Sequence, residues 1–232
     1  MELVVNLGGE RMRVFADDDD LIGRYFDDAI VCGPHSRYFV LDTSQSRPVV
    51  GVHFRPGGAA PFLAVRADEL RDRHVALDDL WGYFARELRE QLIETSSPQE
   101  MFGLLEAVLR YRLQLSDLPN AIVTYAVQEL SRYQTIARIH EVQTATGYGA
   151  KRFIELFSRS VGLTPKMFAR VRRFQTVIHR AARGRHVEWA RVAADAGYCD
   201  QSHLNREFRA FSGTTPTLYR AVAPDRPSHV AI

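Results

Sequence analysis

The chain has 232 residues, of which 46% are hydrophobic and 25% are charged, enough for one or two domains with cores of their own. It has no long uncharged apolar run, and its first residues lack the basic and apolar segments of a secretory signal. We therefore expect no membrane span and a cytoplasmic location. The two cysteines, Cys32 and Cys199, are too few for a disulfide scaffold, and we expect both to be reduced.

The nearly balanced charge of the chain conceals two halves of opposite sign. The 30 Lys and Arg against 28 Asp and Glu give a formal charge of +2. Residues 131–232 hold 17 basic against 7 acidic residues, whereas residues 1–130 hold 13 against 21. A cationic half is a candidate for binding a polyanion, which an anionic half would repel. We therefore predict two domains, residues 1–116 and residues 117–232, joined by a linker at Asp117–Asn120.

The first half has the pattern of antiparallel β structure followed by two helices. Short apolar runs are separated by Gly, Pro, Asp and Ser at intervals of roughly eight to twelve residues, as in a sandwich or barrel. Apolar residues then recur every four positions at Leu80, Phe84, Leu88 and Leu92, which predicts a helix from about Leu77 to Glu94 with Asp78 or Asp79 as N-cap. A second helix from Pro98 to about Leu113 follows a serine cap. We predict a small β-sandwich or cupin-like domain with two helices. The predicted strands are residues 3–7, 13–15, 29–32, 38–41 and 49–54.

The polar residues of this half give weak indications of a site. The run Asp17–Asp20 lacks the spaced ligands of a calcium loop and indicates a solvated turn. His35 and His53 lack the His-x-His pair of a cupin metal centre, so we expect no metal and no cofactor. Tyr38, His53 and Arg55 are the candidates for lining a small-molecule effector pocket. A structural role for these histidines is the alternative.

The second half contains an internal repeat. Residues 147–165 recur as residues 197–216, at an offset of 50 positions that becomes 51 after one inserted residue. Gly-Tyr opens each copy, Thr-Pro closes it, and an apolar residue, a Phe and a Gly match between them. Five shared landmarks in the same order indicate two copies of one structural unit.

Each copy has the pattern of a helix-turn-helix unit. A glycine, Gly147 or Gly197, stands where a tight turn needs positive φ, and Asp200 or Ser202 is placed to cap the second helix of the second copy. Between the copies, a helix from Thr164 to about Ala182 spans roughly 27 Å, near the ~34 Å between successive major grooves on one face of DNA. The predicted inner faces are Ile136, Ile139, Val142, Phe153, Leu156 and Phe157 in the first copy and Trp189, Val192, Ala193, Ala196, Leu204, Phe208 and Phe211 in the second.

The residues left on the outer faces are suited to DNA. Gln, Asn and Arg side chains can form bidentate hydrogen bonds to base edges. For a single helix of this kind, the simpler interpretation is that its polar residues only face solvent. The repeat and the positive charge favour DNA contact. The outward residues are Lys151, Arg152, Ile154, Glu155 and Arg159 in the first copy and Gln201, Ser202, His203, Asn205, Arg206 and Arg209 in the second.

The second copy carries a family resemblance. The segments 192–208 and 213–220, with the run Gly197-Tyr198-Cys199-Asp200-Gln201-Ser202-His203, closely resemble the AraC/XylS family of bacterial transcription regulators. The resemblance covers about Ala121 to Arg220. It implies seven helices with two helix-turn-helix units, and sequence-specific binding to double-stranded promoter DNA. By the same resemblance, Gln201, Ser202, His203 and Arg206 meet bases or phosphates, and Lys151, Arg152, Ile154 and Glu155 hold the matching positions.

The first copy departs from the family pattern at three positions. Gln143 replaces a small residue and Thr146 an apolar one, which predicts looser packing of the first unit. Glu155 is acidic at a base-facing position, where it could accept from cytosine or pair with Arg152 or Arg159. We favour the pair within the helix.

The first half resembles, less specifically, the amino-terminal domain that accompanies this DNA-binding region in an actinobacterial-type group. The resemblance lies in residues 4–9, 33–34, 51–58 and 77–82. It implies a domain that senses an effector or forms dimers. Members of that group begin well before the segment at Asn6–Gly9, so we expect either a late start at Met1 or a sheet that lacks strands.

We therefore predict a DNA-binding transcription regulator rather than an enzyme. A small-molecule effector, RNA polymerase and a second copy of the chain are the other candidate partners. The alternatives are a cupin-like enzyme and a DNA-alkylation repair protein that carries a DNA-binding module. The repair reaction needs a nucleophilic cysteine cluster on zinc, which two cysteines 167 positions apart do not provide. We expect no catalytic residues.

Overall fold

A computed structural model describes most of the chain. The predicted linker residues Asp117–Pro119 and the predicted core residue Ile136 lie outside the described residues. No helix in the described part is long and apolar enough to cross a membrane. The described ranges are 1–44, 48–116, 120–133, 138–183, 187–223 and 226–230.

The amino-terminal half begins with two antiparallel sheets, as the predicted α+β class requires. One sheet has the order β6-β1-β4-β7 and the other β3-β2-β5. Strands β3 and β7 are additional to the predicted ones, and the predicted strand 38–41 shortens to β5. The strands are β1 (Glu2–Asn6), β2 (Met12–Phe15), β3 (Arg24–Phe26), β4 (Ala29–Cys32), β5 (Val40–Leu41), β6 (Val49–His53) and β7 (His74–Ala76).

The alternating side chains of the four-stranded sheet build two cores. Leu3, Val5 and Val31 point to one face, where they pack against the helices that follow the sheet. Val4 and Ile30 point to the other face and pack against the three-stranded sheet. This half therefore has three layers, with the four-stranded sheet in the middle.

In the described part of this half, four helices cover the outer face of that sheet. They are α1 (Ala60–Leu63), α2 (Leu77–Trp81), α3 (Tyr83–Glu94) and α4 (Pro98–Gln114). The helix predicted over Leu77 to Glu94 is broken at Gly82, whose φ is +61°. The predicted aspartate cap is wrong, because the N-cap is Ala76 without a side-chain hydrogen bond. The predicted serine cap of the next helix is confirmed, since Ser97 accepts from the backbone NH of Glu100.

The carboxyl-terminal half is helical and ends in a hairpin. Seven helices were expected, whereas the described residues from 120 onward hold six, followed by β8 (Ala221–Ala223) and β9 (Arg226–Val230). Two separate cores lie here, one around Phe153 and Phe157 and one around Leu204 and Phe208. The helices are α5 (Ala121–Tyr133), α6 (Arg138–Ala145), α7 (Ala150–Val161), α8 (Pro165–Arg183), α9 (Trp189–Asp195) and α10 (Gln201–Ser212).

The two halves contact each other at the carboxyl-terminal ends of α7 and α10. Gly162, which ends α7, packs so closely that a Cβ there would lie 2.1 Å from Cγ of Pro34 and 2.8 Å from the carbonyl oxygen of Ala67. Gly213, which ends α10, packs on the ring of Tyr38. A Cβ at Gly213 would lie 2.7 Å from Cζ of that ring. The opposite, amino-terminal ends of α7 and α10 carry exposed side chains.

Candidate nucleic-acid interface

Helices α6 and α7 form the first helix-turn-helix unit. Val142 on α6 and Phe153 and Phe157 on α7 are buried against each other, as the apolar spacing predicts. Gly147 has φ of +73° in the turn, a conformation that costs glycine little. The predicted unit is present between residues 138 and 161.

The two atypical residues of this unit close its turn with hydrogen bonds. The Gln143 side chain donates to the carbonyl of Tyr148, and the Thr146 hydroxyl donates to the carbonyl of Gln143 at 2.6 Å. Each polar group therefore satisfies a backbone carbonyl near the turn. The core beneath it is well buried, with Val142 at 3% and Phe157 at 0% exposure, so the expected looseness is not seen at this turn.

The outer face of α7 is exposed but internally paired. Glu155 forms ion pairs with Arg152 at 3.1 Å and with Arg159 at 3.4 Å. This is the intrahelical arrangement that the spacing favoured. Lys151 and Ile154 are also exposed, and an apolar side chain such as Ile154 is suited to the methyl group of thymine.

Helices α9 and α10 form the second unit. Ala193 is 1% exposed and leaves room for α10 to cross closely, and Gly197 has φ of +76° in the turn. Of the two residues predicted to cap α10, Asp200 is the N-cap. Its carboxylate accepts a hydrogen bond from the backbone NH of His203 at 2.6 Å. Leu204 and Phe208 are fully buried beneath the helix.

The outer face of α10 presents several unengaged polar groups. Gln201, Ser202, Asn205 and Arg206 are exposed, and among the described residues none of their side chains has a hydrogen bond or an ion pair. His203, which was predicted to point outward, is only half-exposed. Its ring packs edge-on against Tyr198, with 5.2 Å between the ring centroids. The face therefore offers an amide-rich, cationic surface at the amino-terminal end of the helix.

A buried ion-pair network holds α10 on α8. Glu207 accepts from Arg170 at 2.6 Å and from Arg173 at 2.9 Å, and the side chains of Glu207 and Arg173 are 6% and 5% exposed. Burial opposes ionisation of Glu207, but the hydrogen bonds from the two arginines outweigh it and lower the pKa of the carboxyl group. Arg173 also lies over the ring of Tyr198, 4.2 Å from its centroid. This network sets the orientation of α10 relative to α8.

A cationic groove runs beside that network. It has a volume of about 460 Å³ and is lined by Lys166, Arg170, Arg173, His203, Arg206 and Glu207. Glu207 neutralises part of the charge, but Lys166 and Arg206 remain at the surface. Such a groove beside a recognition helix is suited to a phosphate group.

The three predicted effector residues do not share a pocket. Tyr38 lines a cavity of about 130 Å³ between the two sheets, together with His35 and His74. His53 lies on an apolar groove of about 460 Å³ against α4, where it pairs with Glu2 at 3.0 Å. Arg55 is exposed and belongs to neither. The run Asp17–Asp20 forms the expected turn, because Asp20 accepts from the backbone NH groups of residues 16, 22 and 23.

The sequence interpretation missed one cluster of side chains. Cys32, His35 and His74 each offer a ligand atom, and these atoms lie within 4.8 Å of one another. The spacing Cys-x-x-His was visible in the sequence, but His74 lies on β7, a strand that the sequence interpretation did not predict. Burial and the charge of Glu2 raise the pKa of the Cys32 thiol to about 12, which makes it a poor nucleophile for a repair reaction.

Comparisons with known proteins assign both halves to families. A family model described as a helix-turn-helix domain matches residues 125–221, and one described as a domain of unknown function (DUF6597) matches residues 1–76. No curated protein matches the chain in sequence.

Solved structures of ToxT from Vibrio cholerae are among the structural matches. The protein of strain O395 is 10% identical, over 94% of this chain and 87% of that one, with a TM-score of 0.48. An apo variant from strain SCE256 is 14% identical over the same shares, with a TM-score of 0.46. The family assignment rests on the two family models. The chain therefore combines an AraC-type helix-turn-helix domain, the DNA-binding part of a transcription regulator, with an amino-terminal domain of the DUF6597 family.

Proposed function

We propose that the chain is a sequence-specific regulator that binds promoter DNA with both helix-turn-helix units and is controlled by an effector in its amino-terminal half. The observation that carries the proposal is the unengaged polar face of α10. In helix-turn-helix proteins, the first residues of the recognition helix contact base edges, and Gln201 and Arg206 are types that bond bidentately to adenine and guanine. The 19-residue helix α8 separates the two units.

The two recognition helices contribute unequally in this proposal. On α7, Glu155 already holds Arg152 and Arg159, so these arginines must leave an existing pair before they meet DNA. On α10, Arg206 and Gln201 have no such partner among the described residues. We therefore assign base discrimination chiefly to α10, whereas Lys151, Arg152 and Ile154 on α7 add phosphate and methyl contacts.

Replacement of Arg206 tests this assignment. Base preferences are measured by selecting bound duplexes from a random library with wild type and Arg206→Ala. We expect Arg206→Ala to relax the preference at one base pair by about 1–3 kcal/mol. Arg110→Ala, which removes an exposed arginine of the amino-terminal half, is the control and should leave the preferences unchanged. Equal weakening on all sequences in Arg206→Ala contradicts base readout.

The effector part of the proposal concerns Tyr38. Its ring lines the cavity between the sheets on one side and packs on Gly213 at the end of α10 on the other. An occupant of this cavity therefore lies one side chain away from the second recognition helix. In the described part of the chain, no hydrogen bond or ion pair joins the side chain of His53 or Arg55 to the carboxyl-terminal half, so Tyr38 is the candidate that carries control.

A ligand screen on the full chain tests effector control. We expect compounds that raise the unfolding temperature also to change DNA affinity, and Tyr38→Ala to remove the second effect. His53→Ala is the control on the outer groove. Effector control is contradicted if the screen yields no stabilising ligand, or if the ligand still changes DNA affinity in Tyr38→Ala. Neither outcome contradicts the proposal that the chain binds DNA.

A further inference from the structure

Cys32, His35 and His74 form a cluster that the DNA interface does not use. Cys32 ends β4, His74 begins β7, and the two residues are paired across the antiparallel ladder, so their side chains share one face of the sheet. His35 follows Cys32 by three positions, and its Nδ1 lies 3.7 Å from the Cys32 Sγ. The rings of His35 and His74 are 4.8 Å apart between centroids.

These separations match those of ligands around one transition metal ion. Bonds of about 2.1 Å to imidazole nitrogen and about 2.3 Å to thiolate place tetrahedral ligands roughly 3.4–3.6 Å apart. The Sγ–Nδ1 distance of 3.7 Å is already close to this, and all three ligand atoms lie within 4.8 Å. The remaining separations, up to 4.8 Å, must shorten by about 1 Å for one ion to bind all three atoms.

One nitrogen in the cluster is buried without a partner. His74 is 8% exposed, and its Nε2 has no hydrogen bond among the described residues. An unsatisfied buried polar atom costs about 1–3 kcal/mol, and native structures contain few of them. A metal ion in the cluster would satisfy this nitrogen.

The three ligands must bind a metal in their deprotonated forms. A metal ion binds the neutral imidazole and the cysteine thiolate, so coordination of Cys32 would release its thiol proton to solvent.

The loops that carry the cluster are fixed to each other. The Gly33 NH donates to the carbonyl of Arg73 at 2.9 Å, and a Cβ at Gly33 would lie 1.8 Å from the carbonyl oxygen of Leu70. The Asp72 carboxylate accepts from the backbone NH and the hydroxyl of Ser36 at 2.6 and 2.8 Å. Nδ1 of His35 lies 2.9 Å from the Gly33 carbonyl, and a metal bound at this nitrogen would replace that contact. The ligands are therefore held near one another before any metal arrives.

An open coordination position would face the small cavity. The cavity of about 130 Å³ is lined by both histidines and by Asp20, Arg24 and Tyr38. Three protein ligands with a fourth, exchangeable position are typical of metal sites that bind a further small ligand, whereas structural zinc sites are closed by four protein ligands.

The same loops touch both recognition helices. Pro34 stands between Cys32 and His35 and packs on Gly162 at the end of α7, and Tyr38 packs on Gly213 at the end of α10. A shift of the loop at residues 32–38 on metal binding would therefore reach both helix-turn-helix units through direct contacts.

We propose that Cys32, His35 and His74 form a site for a transition metal ion that prefers thiolate and imidazole ligands, such as Zn²⁺, and that its occupancy alters DNA binding. The metal site follows from the geometry of the cluster, whereas the effect on DNA rests on the proposed function.

Titration with Co²⁺ tests the metal site directly. The full chain is stripped of metal by a chelator and titrated with Co²⁺, followed by competition with Zn²⁺. We expect one equivalent to bind with a thiolate-to-cobalt charge-transfer absorption, which Cys32→Ser abolishes. His74→Gln should lower the affinity at least about tenfold.

Two variants control this titration. Cys199→Ser removes the exposed cysteine and His53→Gln an exposed histidine, and both should leave the absorption and the affinity unchanged. His35→Gln, on the loop, serves as a further ligand variant if Cys32→Ser disturbs β4, and it should also weaken binding. A wild-type chain without the charge-transfer band, or ligand variants that bind as wild type does, overturns the site.

DNA affinity with and without metal tests the coupling. On duplexes selected with the wild-type chain, we expect Zn²⁺ to change the affinity about fivefold or more, and Cys32→Ser to be insensitive. Unchanged affinity in the presence of a bound metal overturns the coupling. A chain that binds Co²⁺ but selects no DNA contradicts the proposed function and leaves the metal site standing, so the two failures are distinguishable.

Discussion

Glu207 is the residue on which the orientation of α10 depends most directly. Its carboxylate faces Arg170 and Arg173, and the side chain of Arg173 is only 5% exposed. Removal of one partner from such a pair leaves a buried charge uncompensated, which typically costs about 3–5 kcal/mol. We expect Glu207→Gln to lower the free energy of unfolding by about 3 kcal/mol or more, as measured by chemical denaturation at neutral pH.

The control for this variant is an exposed pair of the same type. Glu106 pairs with Arg110 at 2.6 Å, but their side chains are 64% and 75% exposed. Glu106→Gln should therefore change the free energy of unfolding by less than about 1 kcal/mol. Equal effects of the two variants would mean that burial of the Glu207 network contributes nothing.

The contribution of Glu207 should also depend on pH. The arginines lower the pKa of Glu207 in the folded chain below its ordinary value of 4.5. A lowered pKa of this kind gives stability that is complete above the unfolded value and is lost as the pH falls through the folded one. The difference between wild type and Glu207→Gln should thus be constant near pH 7 and shrink below about pH 4.5. A difference that stays constant down to pH 3 contradicts the ion pair.

The sequence predicted the interactions of single residues correctly where the partner residue is close in the chain. The cap at Asp200 and the pairing of Glu155 depend on neighbours within four positions, which spacing reveals. The Glu207 network and the Cys32–His74 pairing join residues more than thirty positions apart. Their chemistry was visible in the sequence, but their proximity follows only from the packing of α8 on α10 and of β4 on β7.

At the scale of elements, the helices were more predictable than the strands. The spacing of apolar residues located α8 to within a few positions and placed inner-face residues on α6, α7, α9 and α10. Strands β3 and β7 have three residues each, too few for an alternating pattern to stand out. Because β7 carries His74, the missed strand also concealed the metal-ligand cluster.

Gly162 shows how one element end joins the two halves. Gly162 and Gly147 both have positive φ, at +86° and +73°, but only Gly162 has neighbours where a Cβ would stand. We expect Gly147→Ala to cost about 1 kcal/mol of backbone strain alone. Gly162→Ala should cost clearly more, because its methyl group would meet Pro34 and the carbonyl of Ala67.

Hydrogen exchange distinguishes the two glycine variants. In Gly162→Ala the amides of the 3-10 turn at Ala67–Leu70, which packs beside α7, should exchange faster than in wild type. In Gly147→Ala they should keep the wild-type rate. If both variants lose equal stability and leave this turn protected, the contact between the halves is not set by Gly162.

The whole molecule is organised by the separation of its charges. DNA affinity that arises from phosphate contacts falls with salt because bound counterions are released, and the slope of log K against log salt is about −0.9 per contacted phosphate. Lys166 stands in the first turn of α8 on the cationic groove, whereas Arg110 is an exposed cation of the anionic half. We expect Lys166→Gln to reduce the magnitude of the slope by about 0.9 and Arg110→Gln to leave it unchanged, as measured by titrations at several salt concentrations. If both variants reduce the slope equally, DNA contacts the two halves alike. The separation of charge would then not determine which half binds DNA.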